Sequence, residues 1–276
     1  MSKSTELRDL PREIAPGVHW LGDCLKFLYG EATWHGHVST YLIVGEDKTL
    51  LIDTGHPSHW DVVEAALDQI LGDRPLDYVL PTHPEMPHAG NLPHLARRYP
   101  QLTIVGDTRD YHLYYPQLEA HLQPSAVGDE VDLGGRSVIT LPAVWRDLPN
   151  TMWAYDTGAR IMFVADGFSY SHHHLAGECA LYSGELPAEP DLEQTVFLNE
   201  RALFWTRHVD ATHSEPDMAE LFDRYPPALV APAHGSVINT LDAMIPLLQA
   251  GMAESRKRTH LVEARWAPTA PTEDAS

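Results

Sequence analysis

A chain of 276 residues with 43% hydrophobic side chains is long enough to bury the core of one large domain. Its 39 acidic against 19 basic residues leave a net charge of −20, which argues against nucleic acid or an anionic membrane as partner. Two cysteines, Cys24 and Cys179, cannot build a disulfide framework or a cysteine-rich zinc site. No apolar run approaches the ~18 residues of a membrane span, and the first residues lack the apolar stretch of a signal peptide. The expectation is a soluble, cytoplasmic protein.

Residues 1–12 are polar and read as a loose N-terminus. Strands follow at Val18-His19-Trp20-Leu21, Ser39 to Val44 and Thr49 to Asp53, the last two joined as a hairpin by Gly45-Glu46-Asp47-Lys48. Asp61 to Leu71 carries Val62, Val63, Ala66, Leu67 and Ile70 at helical spacing. A strand at Tyr78-Val79-Leu80, a helix over Asn91 to Tyr99 and a strand at Leu102 to Val105 continue a βαβ pattern. Further strands are expected at Glu130 to Leu133, Ser137 to Leu141 and Arg160 to Val164. Helical stretches then cover Leu192 to Val209 and Pro216 to Tyr225. Ala228 to Val230 is a last strand, Leu241 to Ala253 a terminal helix, and the Pro/Ala/Thr-rich segment 264–276 a disordered tail. No internal repeat or linker divides the chain, so one mixed α/β domain over 13–263 is the economical reading.

The stretch Thr82-His83-Pro84-Glu85-Met86-Pro87-His88-Ala89-Gly90-Asn91 sets two imidazoles and a carboxylate within six residues, just past a strand. Pro84 and Pro87 predict a loop here, which excludes the helical H-E-x-x-H zinc motif. Rigid scaffolds place chemistry on such loops, and His and Glu packed this densely point to metal ligation. The plainer alternative is a turn that is merely rich in His in a chain with 17 of them. Three other strands end on polar residues followed by glycine: at Asp53-Thr54-Gly55, at Asp166-Gly167 and at His234-Gly235. Glycine in that place lets the backbone bend close to a metal.

Together with the opening Glu13 to Gly22, the hairpin Tyr41 to Thr54 and the loop Ala231-Pro232-Ala233-His234-Gly235, these residues resemble the metallo-β-lactamase fold. They are most similar to its diiron branch, typified by flavodiiron and related oxygen-binding proteins. Glu85 carries that distinction, since the hydrolytic branch has His there and a carboxylate is a hard ligand suited to iron. The resemblance implies a four-layer αββα sandwich. It also implies His83 and Glu85 as ligands of one metal, His88 and His234 of a second, Asp166 bridging them, and Asp53 fixing the tautomer of a ligating imidazole. Two positions depart from the pattern. Pro87 stands where the family has Asp, and Asp147 where it has a His; no His lies between Leu122 and His172. What survives is His83, Glu85 and Asp166 for one metal, and His88, His234 and Asp166 for the other. The second set has the two-His, one-carboxylate composition of non-haem Fe(II) oxygenases.

Asp147 and His172 are the candidates to fill the gaps or to serve catalysis. In Ser171-His172-His173-His174 at most one or two side chains can point one way. His35 and His37 fall where the family has a loop beside the metals, and His56 and His59 could crowd the same rim. Trp145, Trp153, Phe168 and Tyr170 read as pocket wall or as ordinary core. Cys24 and Cys179 read as structural.

The expected cofactor is iron, one or two per chain, with zinc as the alternative. The expected function is an oxidoreductase acting on O2, NO or a small organic molecule, fed by a separate electron donor because the flavin domain of flavodiiron proteins is absent. A zinc hydrolase of esters, thioesters, lactones or amides is the competing class, followed by an O2 sensor and a metal-free relic. A homodimer is compatible with this reading.

Overall fold

The computed structural model describes residues 9–29 and 31–258. The first eight residues of the expected loose N-terminus and the whole segment 264–276 lie outside it. Among the described residues, twelve strands form two sheets. The first sheet runs in spatial and chain order through β1 (Arg12–Ala15), β2 (Val18–Tyr29), β3 (Ala32–Val44), β4 (Thr49–Ile52), β5 (Tyr78–Leu80), β6 (Thr103–Gly106) and β7 (Leu122–Pro124). Its strands are antiparallel as far as β4 and parallel from β4 to β7. The second sheet has β8 (Glu130–Asp132), β9 (Ser137–Pro142), β10 (Met152–Asp156), β11 (Ile161–Phe163) and β12 (Leu229–Ala231), with β11 and β12 parallel. Helices α1 (Trp60–Leu71), α2 (Met86–Ala89), α3 (Leu92–Arg98) and α4 (Tyr111–Tyr114) belong to the first half; α5 (Leu192–Ala202), α6 (Glu215–Arg224) and α7 (Leu241–Lys257) belong to the second.

Strand periodicity explains the layering. Tyr41, Ile43, Leu50 and Ile52 pack against Val138, Ala154, Ile161 and Phe163 of the other sheet. Their neighbours Leu42 and Leu51 face the opposite way, onto Val63, Leu67, Leu92 and Leu95 of α1 and α3. On the far side, Leu141, Trp153, Tyr155 and Met162 pack on Met218 and Leu221 of α6 and on Met244, Leu248 and Met252 of α7. The result is the expected αββα sandwich. Trp145, Trp153, Phe168 and Tyr170 are all buried in that last cluster. They are core rather than pocket wall.

Several boundaries differ from the sequence expectation. Pro84 and Pro87 do not keep the motif loop free of helix. Met86–Ala89 makes one α-turn with Glu85 as N-cap, because Pro87 lies in the first turn, where a missing N–H breaks no helical bond. Arg12, placed in the loose N-terminus, opens β1 opposite Trp20. β2 and β3 are far longer than their apolar cores, pairing from Val18 with Ile43 out to Tyr29 with Ala32. His35 and His37 are therefore strand residues, not loop residues. The stretch expected as one helix to Val209 stops at Ala202, where Leu203 leaves the helical conformation and a 3-10 turn, Phe204–Arg207, follows. The terminal helix reaches Lys257 despite Pro246 inside it. Among the described residues, no helix is long and apolar enough to cross a membrane.

The β3–β4 hairpin is also a joint between sheets. Glu46 N donates to Gly134 O, and Asp47 and Lys48 N both donate to Leu133 O, each at 3.0 Å. A Cβ on Gly45 would lie 2.1 Å from Leu133 O. Gly45→Ala should therefore destabilise the fold by about 1–3 kcal/mol through overpacking, read as a lower denaturant midpoint with metal content per folded chain unchanged.

Candidate metal centre

The site lies where parallel strands of both sheets end. β4 stops at Asp53, β5 leads into Thr82-His83, β11 into Asp166 and β12 into His234, while His88 projects from α2. The rings of His83 and His88 are 3.8 Å apart. Asp166 Oδ1 lies 3.3 Å from Nε2 of both His88 and His234, and its Oδ2 lies 3.6 Å from His83 Nε2. Asp147 Oδ2 and Glu85 Oε2 stand 3.5 and 3.9 Å from the same His83 nitrogen. His83, His88 and Asp166 are buried, whereas the Glu85 side chain is 51% exposed and forms the rim.

Hydrogen bonds fix which nitrogen of each ring faces inward. His234 Nδ1 lies 2.6 Å from His37 O, which can only accept, so Nδ1 carries the proton and Nε2 is turned to Asp166. His88 Nδ1–H donates to Asp53 Oδ2 at 2.8 Å. Asp53 Oδ1 in turn accepts from Thr82 N and Thr82 Oγ1 at 2.7 and 2.8 Å. Asp53 holds this post with φ of 57°, and Ala165, beside Asp166, has φ of 49°. Left-handed backbone at non-glycine residues costs on the order of 1 kcal/mol each and gathers at functional sites. Gly235, at φ of 114°, is needed because a Cβ there would meet Tyr170 O at 2.9 Å.

The donor atoms suit a cation. His83 Nε2, His88 Nε2 and Asp166 Oδ1 are buried and find no hydrogen-bond partner. Ligands held about 2.0–2.2 Å from one ion lie roughly 3–3.5 Å from each other, close to the spacing seen here. The electrostatics agree. Burial depresses His83 well below the ordinary imidazole value, and the neighbouring His88 adds to this. Burial opposes a charge on His88 as well, but Asp53 and Asp166 outweigh it and raise that group. Asp166 resists the upward push of burial because His88, His83 and His234 surround it, and its carboxyl falls well below the usual range. Asp147 is pushed up to about 6 by burial, then by Asp166 and Glu85. Three carboxylates thus compete for too little positive charge, the situation a metal ion relieves.

Residues 33–188 match the family profile of the Metallo-beta-lactamase superfamily. The chain belongs to that superfamily. Its sequence relatives include oxidases and nitric oxide reductases. It is 27% identical over 167 residues to the Coenzyme F420H(2) oxidase of Methanocaldococcus jannaschii, covering 56% of this chain and 40% of that protein. It is 26% identical over 174 residues to the nitric oxide reductase of Moorella thermoacetica, covering 60% and 43%. The superfamily fold extends to rubredoxin oxygen:oxidoreductase of Desulfovibrio gigas, with a TM-score of 0.69 at 17% identity over 89% of this chain and 61% of that one. The flavodiiron protein from Giardia intestinalis gives 0.68 at 19% identity over 91% and 60%. The chain spans about two fifths of the length of the curated relatives it matches.

Glu85, Asp147 and Asp166 gather about His83, and His88 and His234 both reach Asp166. His172 does not. It is buried against His37, with ring centroids 5.2 Å apart and its Nε2 3.4 Å from Ser236 Oγ. His56 caps the turn before α1 rather than reaching the cluster. Cys24 and Cys179, read from the sequence as structural, cluster with His35, His37, His172 and His174. A hydrogen bond from the Cys24 thiol holds Cys179 below the ordinary thiol value. A signal for this cluster was present in the sequence: His35/His37 and His172/His174 are each two apart, the spacing that puts both side chains on one strand face.

Asp147 offers a sharp test of the cation argument. Its Oδ1 accepts from Leu148 N and Thr151 Oγ1, leaving Oδ2 toward His83 Nε2. Asp147→Asn would keep those bonds, remove one repelling charge and set an N–H against an unpaired nitrogen. Chelator-treated protein should gain on the order of 1 kcal/mol above pH 6, while metal affinity should fall. Opposite shifts of Tm with and without metal would show it.

Proposed function

We infer that this protein is a non-haem iron oxidoreductase that reacts with O2 or NO at a two-metal site. The observation that carries the reading is the donor set facing His83 Nε2, which consists of Glu85, Asp147 and Asp166. One imidazole with three carboxylates is a hard set, suited to iron over zinc. In this reading His83, Glu85, Asp147 and Asp166 hold one ion, and His88, His234 and Asp166 hold the other. Bound iron would supply the electron transfer to the diatomic. The chain does the rest: Asp166 presents one oxygen to each half, Asp53 and His37 O aim the imidazoles, and exposed Glu85 marks the open side.

The relatives' names, an F420H2 oxidase and a nitric oxide reductase, support this chemistry. A separate electron donor is proposed as the source of its electrons.

The reading is tested by loading chelator-treated protein with ferrous iron under argon and following O2 and NO consumption with an artificial reductant. Bound iron and at least tenfold faster gas consumption than free iron are expected. Zinc as the native metal, with thioester or lactone hydrolysis and no reaction of the iron form, overturns it in favour of a hydrolase. Glu85→His, which removes a hard anionic ligand, should move metal preference toward zinc and lower gas consumption at least tenfold.

The second ion has fewer ligands. Pro87→Asp would add a carboxylate in the turn that carries His88, and iron bound per chain should rise toward two. Unchanged stoichiometry would mean that the second ion already has its full set.

A further inference from the structure

We propose that Cys24, His174 and Cys179, with His35 as fourth donor, form a second metal site that binds Zn2+. The donor atoms of Cys24, His174 and Cys179 all lie within 4.8 Å of one another. Cys24 Sγ is 3.4 Å from His174 Nε2 and 3.0 Å from His35 Nδ1. Tetrahedral zinc with sulfur at about 2.3 Å and nitrogen at about 2.0–2.1 Å sets neighbouring ligands roughly 3.5 Å apart. Two cysteines with two histidines are a common structural zinc set.

The imidazole orientation suits ligation. His174 Nδ1 lies 2.7 Å from Leu175 O, which can only accept, so Nδ1 is protonated and the Nε2 lone pair points at the sulfurs. A ligating histidine is commonly held by a carbonyl in this way. Secondary structure delivers the donors. Cys24 and His37 are cross-strand partners in β2 and β3. The segment of His172 and His174 pairs with β3 through His35 N to His172 O at 2.8 Å and His172 N to His35 O at 2.9 Å. His37 Nε2–H donates to Cys179 O at 2.6 Å and ties the second cysteine to the sheet.

An independent observation points to a ligand. His37 and His172 are 0% and 1% exposed, and Nδ1 of each is buried with no hydrogen-bond partner. Both belong to a donor group with His174, again within 4.8 Å. An unpaired buried polar atom costs about 1–3 kcal/mol, and His37 and His172 thus set two imidazoles with unpaired buried nitrogens beside the donor His174. This inference does not rest on the iron reading, because the two donor sets share no residue.

Cobalt separates the sites, since only this pocket contains sulfur. Chelator-treated, reduced protein titrated with Co2+ should develop thiolate-to-cobalt charge-transfer absorption in the near ultraviolet. The band should survive His83→Ala and vanish in Cys24→Ser/Cys179→Ser, which should also lose one equivalent of bound zinc. Zinc X-ray absorption of the unaltered protein should show two sulfur neighbours at about 2.3 Å, a measurement that does not depend on the variant folding. A wild-type protein without the charge-transfer band, zinc with only nitrogen and oxygen neighbours, or a Cys24–Cys179 disulfide in protein alkylated at lysis would each overturn the proposal.

Discussion

A single carboxylate, Asp166, sets the terms for the site and for how the sheets meet around it. It is 3% exposed and lies against His83 and His88 from one sheet and His234 from the other. An isolated carboxylate taken out of water is costly by several kcal/mol. Imidazoles offset that cost only so far as they are charged, and burial works against charging His83 and His88. Asp53 tips His88 toward the charged form, yet His83 is driven the other way. The cluster therefore balances poorly with protons alone and well with a cation, and the fold tolerates the imbalance because two covered sheets hold the ligands in place.

That rigidity comes from main-chain bonds between the sheets at the same edge. Ser39 N donates to Ala233 O and Met152 N to Thr82 O, both at 2.9 Å, so the loops carrying His83 and His234 are each pinned to the opposite sheet. Tyr41 OH adds a bond to Pro232 O at 2.7 Å. Left-handed Asp53 and Ala165 are strained locally, but the strands on either side leave them no alternative. Packing energy from the αββα core thus sustains an unfavourable electrostatic and conformational arrangement at its rim.

Much of this was legible in the sequence, for physical reasons that also mark the limits. Alternation of Tyr41, Leu42 and Ile43, and of Leu50, Leu51 and Ile52, reports a sheet covered on both faces, and short strands ending in Asp or His report a ligand edge. Asp147 could be named as a substitute for a missing His, and it does face His83. The proline rule failed at Met86–Ala89 because it holds for helix interiors, whereas a one-turn helix is all first turn. The length of β2 and β3 was illegible because Asp23, Lys26 and Gly36 interrupt the apolar pattern, and pairing rather than hydrophobicity carries the ladder there. For the Cys/His cluster, the two-apart spacing of His35/His37 and His172/His174 was visible, but the meeting of those residues with Cys24 and Cys179 was not. That meeting depends on register between β2, β3 and the segment after Asp166, which no single stretch of sequence contains.

Register is also what links the two clusters. His37 turns its carbonyl to His234 Nδ1 at 2.6 Å and its Nε2–H to Cys179 O at 2.6 Å. One residue of β3 therefore orients an imidazole of the Asp166 cluster and anchors a cysteine of the sulfur cluster. A shift of β3 by one position would turn His35 and His37 to the other face and lose both contacts together. The extended β2–β3 ladder, with partners from Val18–Ile43 to Tyr29–Ala32, is long enough to make such a slip costly. The ladder thereby holds the Asp166 cluster and the Cys/His cluster in fixed relation along one strand.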